Sequence, residues 1–253
     1  MRIPADWFKG FFGSSYIDAV ASASATNEAQ TLRETALIQK YLNSGKATHV
    51  LDVCCGHGRH ALELAKMGCR VVGIDIDEEA LRTLSRQAES EGLQIGVHRM
   101  DVRDLALHEQ FHITLCMLNS FGYFSDEHNQ LVLDNMAKSL LLGGMLILDL
   151  PNRERIFRDA RPARWEETTT GLLVLGKYGV DLWSGRLTGL QQRVYPDGKR
   201  CSKAFSLRVY SLAEMVSMLR RVGMSLANAW GDFDCSTYSI DSPRMILVAK
   251  REA

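Results

Sequence analysis

Apolar residues recur along this chain in two rhythms. From residue 47 onward, short continuous apolar runs alternate with segments in which apolar positions fall three or four apart. His49 to Cys54 is such a run, broken only by Asp52. Arg59 to Met67 has helical spacing and closes on Gly68, and Arg70 to Asp75 is a second β-branched run. Asp77 is placed to cap a helix carrying Leu81 and Leu84 that ends near Gly92. Gln94 to His98 and Phe111 to Leu118 follow as strands. Ser125 opens a helix with Leu131, Met136 and Leu140, which Gly143 and Gly144 close before a fifth strand, Met145 to Leu150. Strand and helix in this succession predict a parallel, doubly wound sheet.

The rhythm changes between Arg161 and Tyr210. Trp165 to Thr170, Leu172 to Tyr178, Gly185 to Tyr195 and Lys203 to Tyr210 alternate apolar with polar residues, and Pro196-Asp197-Gly198 reads as a hairpin turn. An inserted antiparallel sheet is expected there. Ser211-Leu212-Ala213-Glu214 has the form of a capping box opening a helix that ends at Gly223. Strands near Leu226 to Phe233 and Arg244 to Lys250 close the main sheet as a hairpin. The expected organisation is an N-terminal helical cap over 1–46, an α/β core over 47–160, an inserted β lid over 161–210, and a closing helix and hairpin over 211–253.

Composition narrows the function. The 253 residues are 46% apolar and 24% charged, which fits one large α/β domain with an insertion. Thirty basic and thirty acidic side chains cancel, so nucleic acid and anionic membranes are not expected partners. Pro4, Asp6, Lys9 and Gly10 interrupt any apolar run suited to a signal peptide, and no segment has the length of a membrane span. The six cysteines lack C-x-x-C spacing, which fits reduced thiols and a cytoplasmic protein.

The candidate chemistry starts at Val50-Leu51-Asp52-Val53-Cys54-Cys55-Gly56-His57-Gly58-Arg59-His60. A strand, a glycine turn and a helix start in this order aim unpaired N–H groups at one spot, where a nucleotide-like ligand is expected. Gly56-x-Gly58-x-x-Ala61 fits a nicotinamide dinucleotide fingerprint; Asp52-x-Cys54-x-Gly56-x-Gly58 fits the acidic loop of S-adenosylmethionine enzymes. Asp52 discriminates, because a carboxylate inside the strand must find a partner, such as a charged amino group or the loop amides. Asp75 ends the second strand, placed to accept hydrogen bonds from ribose hydroxyls, and Met100-Asp101-Val102 after the third can serve an adenine amino group and its faces.

With Val72-Gly73-Ile74-Asp75 and Leu142-Gly143-Gly144-Met145, these segments resemble the class I S-adenosylmethionine-dependent methyltransferases over most of residues 47 to 150. The resemblance implies a Rossmann-like, mostly parallel seven-stranded sheet. It assigns the methionine portion of the cofactor to Asp52, Cys54, Gly56 and Gly58, the ribose to Asp75 beside Ile76, and the adenine to Asp101 and Val102, with Leu118 also at the cofactor. S-adenosylhomocysteine would be the product. Cys54 stands where the pattern has glycine, so close approach requires that residue 54 take no positive φ. The inserted sheet and terminal hairpin resemble those of small-molecule members, where they cover the acceptor.

Leu118-Asn119-Ser120-Phe121-Gly122-Tyr123-Phe124 follows the fourth strand and is expected to touch cofactor and acceptor. Asn119, Tyr123 and Tyr16 are the catalytic candidates, and Tyr16, Phe121, Tyr123, Asn152 and Arg208 the candidate acceptor contacts. Arg33 is expected to offer its guanidinium to the cofactor carboxylate. The prolines of the Asn-Pro-Pro-aromatic motif are missing, which counts against nucleobase and glutamine acceptors. His57 and His60 are candidates for a base or a loop anchor. Asp149 and Asn152 could contribute to a magnesium site, but position 119 is asparagine and no metal is expected. The reading is N- or O-methylation of a small organic acceptor by a monomer or homodimer. The alternatives are a nicotinamide-dependent oxidoreductase and a non-catalytic S-adenosylmethionine-binding regulatory module.

Overall fold

A computed structural model describes residues 3–12, 28–42, 47–168 and 170–252. Tyr16 lies outside the described residues. Among the described residues two helices, α1 (Trp7–Phe11) and α2 (Glu28–Gln39), precede a central sheet of β1 (His49–Val53), β2 (Arg70–Asp75), β3 (Ile95–Arg99), β4 (Phe111–Cys116) and β5 (Leu140–Pro151). The crossovers carry α3 (Arg59–Lys66), α4 (Glu78–Ser90) and α5 (Asp126–Ser139). Then come α6 (Arg153–Arg158), the strands β6 (Ala163–Glu167), β7 (Leu173–Asp181), β8 (Arg186–Val194) and β9 (Arg200–Arg208), the helix α7 (Leu212–Arg221), and β10 (Met224–Trp230) with β11 (Arg244–Arg251).

The main sheet has seven strands in the order β10-β11-β5-β4-β1-β2-β3, and β6 to β9 form a separate four-stranded antiparallel sheet. β1 to β5 are mutually parallel, while β11 runs antiparallel between β5 and β10. Strand order reverses between β1 and β4, where Val53 is level with both Ile74 and Cys116. That switch point is where an open α/β sheet takes its ligand. The sheet is buried on both faces, so β1 reads as nearly continuous apolar sequence: Leu51 and Val53 join Leu133, Met136 and Met215 on one side, and Val50 joins Ala61, Leu64 and Leu84 on the other.

Local signals place the elements. The Asp77 carboxylate accepts from the Glu79 and Ala80 amides at 3.0 and 3.2 Å, Ser125 caps α5, and Ser211 with Glu214 forms the expected capping box. Two expectations need correction. The buried face of α5 is Val132, Leu133 and Met136, while Leu131 is 41% exposed. The helix ends at Ser139 rather than at the glycines, and the pairing jumps from Phe111–Leu140 to Ile113–Met145. Gly143 and Gly144 lie in that bulge; Gly143 has φ +79°, and a Cβ on Gly144 would meet the Leu141 and His112 carbonyls at 2.9 and 3.1 Å.

One buried ion pair locks the sheet beside the site. Asp149 on β5, fully buried, holds the Arg244 guanidinium of β11 through contacts of 2.5 and 2.6 Å, and its Oδ2 accepts the Leu118 amide at 2.9 Å. Removing the carboxylate leaves a buried guanidinium and an amide without partner. Asp149→Ala is therefore expected to destabilise the protein by about 3–5 kcal/mol, read as a lower midpoint in urea unfolding.

Candidate active site

At the carboxyl ends of β1, β2, β3 and β4 lies a cavity of about 610 Å³. The loop from Cys54 to Gly58 forms its base. The Cys55 amide donates to the Ile74 carbonyl at 3.0 Å and the Gly58 amide to the Cys55 carbonyl at 2.9 Å, so the turn is pinned to β2 and folded on itself. Cys54, Gly56 and Gly58 all have positive φ, at +57°, +56° and +78°. The expectation for Cys54 is overturned: the position takes the left-handed conformation that glycine favours, with a backbone cost of about 1–2 kcal/mol. A Cβ on Gly58 would stand 2.3 Å from Leu84 Cδ1, so this glycine is required by packing as well as by φ.

Among the described residues five carboxylates line this cavity, the outermost being Glu78 in the first turn of α4. Asp52 is 1% exposed, accepts the Ala61 amide in the first turn of α3, and has an Oδ2 with no hydrogen-bond partner. Burial pushes its pKa up to about 6, against the opposing charges of His60 and Arg59. Asp75 accepts the Gly56 amide at 2.8 Å and the Asp77 amide at 2.9 Å; burial outweighs these bonds and raises its pKa. Asp101 is gripped by Arg103 through contacts of 3.0 and 2.6 Å, and that hydrogen bonding holds it below the usual range. Arg103 in turn lies 4.6 Å from the Phe124 ring centroid. The fourth, Asp77, is the cap of α4.

Also on the wall, Arg59 and His60 converge on Glu34 of α2, at 2.5 and 2.6 Å. Burial favours the neutral Glu34, but hydrogen bonding and charge from His60, with the charge of Arg59, outweigh it and keep the pKa low. His57, also on the wall, is pushed down by burial first and by the charges of Arg59 and His60 second, so a neutral ring is favoured. Hydrogen bonding to Cys116 and burial raise the Cys54 thiol, and burial with the charges of Asp52 and Asp75 raises Cys55; neither is a thiolate nucleophile.

The roof is aromatic. Phe8, Phe12, Tyr123 and Phe124 line the cavity together with Ile76, Met100, Val102, Met117, Leu118 and Ser120. Trp7 packs edge-on against Tyr123 at 5.1 Å, and Phe8 against Phe124 at 5.2 Å, which docks α1 over the site.

Several candidates lie elsewhere. Arg33, 53% exposed, pairs with Asp232 at 3.3 Å, away from the cavity wall. Phe121 is buried in the core against Tyr210. The Asn152 amide donates to the carbonyls of Ser239 and Ser242, and its Oδ1 accepts from Tyr238 and from the Arg155 amide; it is committed to structure. Arg208 joins Asp126 at 3.1 Å and Glu214 at 2.5 Å, tying β9 to α5 and α7. Asn119 has φ +58° and an Oδ1 buried without a hydrogen-bond partner, but only its neighbours Leu118 and Ser120 reach the wall. The residue missed is Arg59. Its position, first in the helix after the glycine turn, was the available signal.

A doubly wound sheet whose glycine turn presents an orphaned buried carboxylate, with a second carboxylate one strand over, fits an adenosyl compound carrying a cationic amino group. Residues 50–144 match the methyltransferase domain family. The chain is 26% identical over 219 residues to the glycine/sarcosine N-methyltransferase of Aphanothece halophytica, spanning 84% of this chain and 80% of that protein. It is similar in structure to an S-adenosylmethionine-dependent methyltransferase from Clostridium acetobutylicum ATCC 824, with a TM-score of 0.82 at 15% identity over 95% of this chain and 98% of that one. It also resembles a sugar N-methyltransferase from Streptoalloteichus sp. ATCC 53650, with a TM-score of 0.73 at 18% identity over 96% and 94% of the two chains. Residues 50–144 are a methyltransferase domain, and the chain has the fold of class I S-adenosylmethionine-dependent methyltransferases. The nicotinamide reading of Gly56 and Gly58 and the regulatory-module reading give way to it.

The strained turn is open to a direct check. Cys54→Gly and Cys54→Ala both remove the thiol and differ in tolerance of positive φ; the glycine variant is expected to be more stable by about 1 kcal/mol in urea unfolding. Equal midpoints would remove the strain assignment.

Proposed function

We propose that this enzyme methylates nitrogen or oxygen of a small organic acceptor held beneath Phe8, Phe12, Tyr123 and Phe124. The observation that carries this reading is the Asp52 Oδ2, an ionisable group buried at the cavity with no hydrogen-bond partner for that oxygen. S-adenosylmethionine, when bound, supplies an activated methyl group on a sulfonium. Asp52 pairs with its ammonium, Arg59 lies on the wall for its carboxylate, Asp75 accepts from the ribose hydroxyls, and Asp101, kept ionised by Arg103, receives the adenine amino group. Ile76, Met100, Val102 and Leu118 supply apolar contact to the rings.

The chain's task is then to align the reactants and exclude water, which is worth roughly 7–11 kcal/mol of barrier. The aromatic roof does both, and its ring faces favour a cationic sulfur by about 0.5–2 kcal/mol each. His57, favoured as the neutral ring, accepts a proton from an acceptor that arrives protonated. Both acceptor atoms are supported by relatives, which are named as a glycine/sarcosine N-methyltransferase and as ubiquinone biosynthesis O-methyltransferases. The six free thiols, with Cys54, Cys55 and Cys116 packed around the cofactor loop, fit work in a reducing cytoplasm. Among the described residues no helix is long and apolar enough to cross a membrane.

Calorimetric titration tests the cofactor assignment. S-adenosylhomocysteine is expected to bind and NADH not to. Asp75→Ala is expected to lose about 1.5–3 kcal/mol of that affinity, a weakening of roughly 10- to 150-fold. Binding of NADH alone, or unchanged affinity in the Asp75 variant, would overturn the cofactor or the ribose assignment respectively.

A further inference from the structure

The two basic residues that open α3 stand beside Asp52 but are held by another carboxylate. Arg59 Nη2 and His60 Nε2 both meet Oε2 of Glu34, at 2.5 and 2.6 Å, while Oε1 of Glu34 accepts the Gln30 side-chain amide at 2.9 Å. Arg59 Nη1 donates to Thr31 Oγ1 at 3.1 Å. Gln30, Thr31 and Glu34 fall on one face of α2, so a single helix grips both residues. The grip is buried: the Glu34 and Arg59 side chains are 1% and 10% exposed. Asp52, on the cavity wall, feels the charges of Arg59 and His60, yet its Oδ2 bonds to neither. Arg59 Nη2 likewise has no hydrogen-bond partner, its contact with Glu34 being an ion pair alone. A buried carboxylate and a guanidinium set side by side ordinarily pair, because either one alone is costly to bury. Here Glu34 takes the guanidinium.

We propose that Glu34 is a positioning residue that keeps Arg59 and His60 off Asp52, leaving Asp52 Oδ2 open for a ligand ammonium and Arg59 on the wall for its carboxylate. The identity of that ligand rests on the cofactor reading above; the sequestration itself does not. Glu34 is not part of the cavity wall, so it acts through the residues it holds. Without its charge, Arg59 keeps only the neutral Thr31 hydroxyl, and Asp52 is the carboxylate beside it with an oxygen free. The other groups facing Asp52 do not compete. Asp75 is acidic and bonded to the Gly56 and Asp77 amides, and burial keeps the Cys55 thiol protonated. Arg244, which also feels the Glu34 charge, is committed to Asp149. Arg59 would then close onto Asp52, and the amino-acid end of the ligand would meet an ion pair already made.

Carbonyl-carbon NMR of the Asp52 side chain in the ligand-free protein tests the sequestration alone. Glu34→Gln, which keeps size and removes charge, is expected to lower the Asp52 midpoint clearly below the wild-type value, because a negative neighbour is lost and Arg59 pairs with Asp52. Adding Arg59→Gln should raise it again, and Glu34→Asp, which retains the charge, should keep it near wild type. By calorimetry, Glu34→Gln should weaken S-adenosylhomocysteine binding at least about ten-fold. 5′-Methylthioadenosine, which lacks the amino-acid end, should bind variant and wild type alike and so reports an intact fold. A midpoint unmoved in Glu34→Gln, no rise on adding Arg59→Gln, or equal losses of both ligands would each overturn the proposal. A wild type that binds neither adenosyl compound, with the midpoints shifting as stated, would overturn the cofactor reading and uphold the role of Glu34.

Discussion

The site rests on one carboxylate buried with one oxygen unsatisfied. Asp52 lies within β1, where the sequence otherwise supplies apolar residues for a sheet covered on both faces, and among the described residues the bond it is given is from the Ala61 amide. An uncompensated charge in such a place is costly, and burial pushes the Asp52 pKa up to about 6. Stability alone would favour an apolar residue here. Under the proposed function the position is half of an ion pair whose other half arrives with the ligand.

The loop geometry follows from that placement. To bring backbone amides and Asp52 to the same cavity, the chain must turn sharply after Val53, and it does so with left-handed residues at 54, 56 and 58. Gly58 has no room for a side chain above Leu84, and the Gly56 amide is held by Asp75. Asp75, proposed for the ribose, thus also braces the glycine loop, so the two sides of the proposed cofactor site are mechanically one. Behind it, Asp149 and Arg244 fix the Leu118–Asn119 turn, where two further residues adopt positive φ.

The sheet and its ligand edge were legible because they depend on local signals. β-branched runs, the caps at Asp77, Ser125 and Ser211, and the glycines of the turn each act within a few residues. The inserted four-stranded sheet was readable from its period of two, though with strand ends shifted by a few positions, while the expected lid role is not seen in the cavity wall, which no described residue of β6 to β9 lines. What could not be read was the partner of a polar side chain. Asn152 and Ser242 are 90 positions apart, Arg208 and Asp126 are 82, and Arg33 and Asp232 are 199. Each looked free for a ligand in sequence and is engaged by protein. Phe121 failed for the corresponding apolar reason: one residue in a loop of aromatics turned inward and its neighbours did not. The helix α2, with Glu34, carries few apolar residues and gave no periodic signal, so the anchor of Arg59 and His60 was invisible. At Cys54 a glycine-like conformation is imposed on a side chain, which sequence can flag only as a departure.

The central claim is that Asp52 awaits a cation. Carbonyl-carbon NMR of the Asp52 side chain, titrated with and without S-adenosylhomocysteine, tests it most directly. The account predicts a midpoint near 6 in the free protein and a clear fall on binding, because the ammonium favours the ionised form. By linkage, ligand affinity must then weaken as pH drops through that midpoint in the wild type but not in Asp52→Asn. A midpoint unmoved by the ligand, or an identical pH dependence in the variant, would contradict the account.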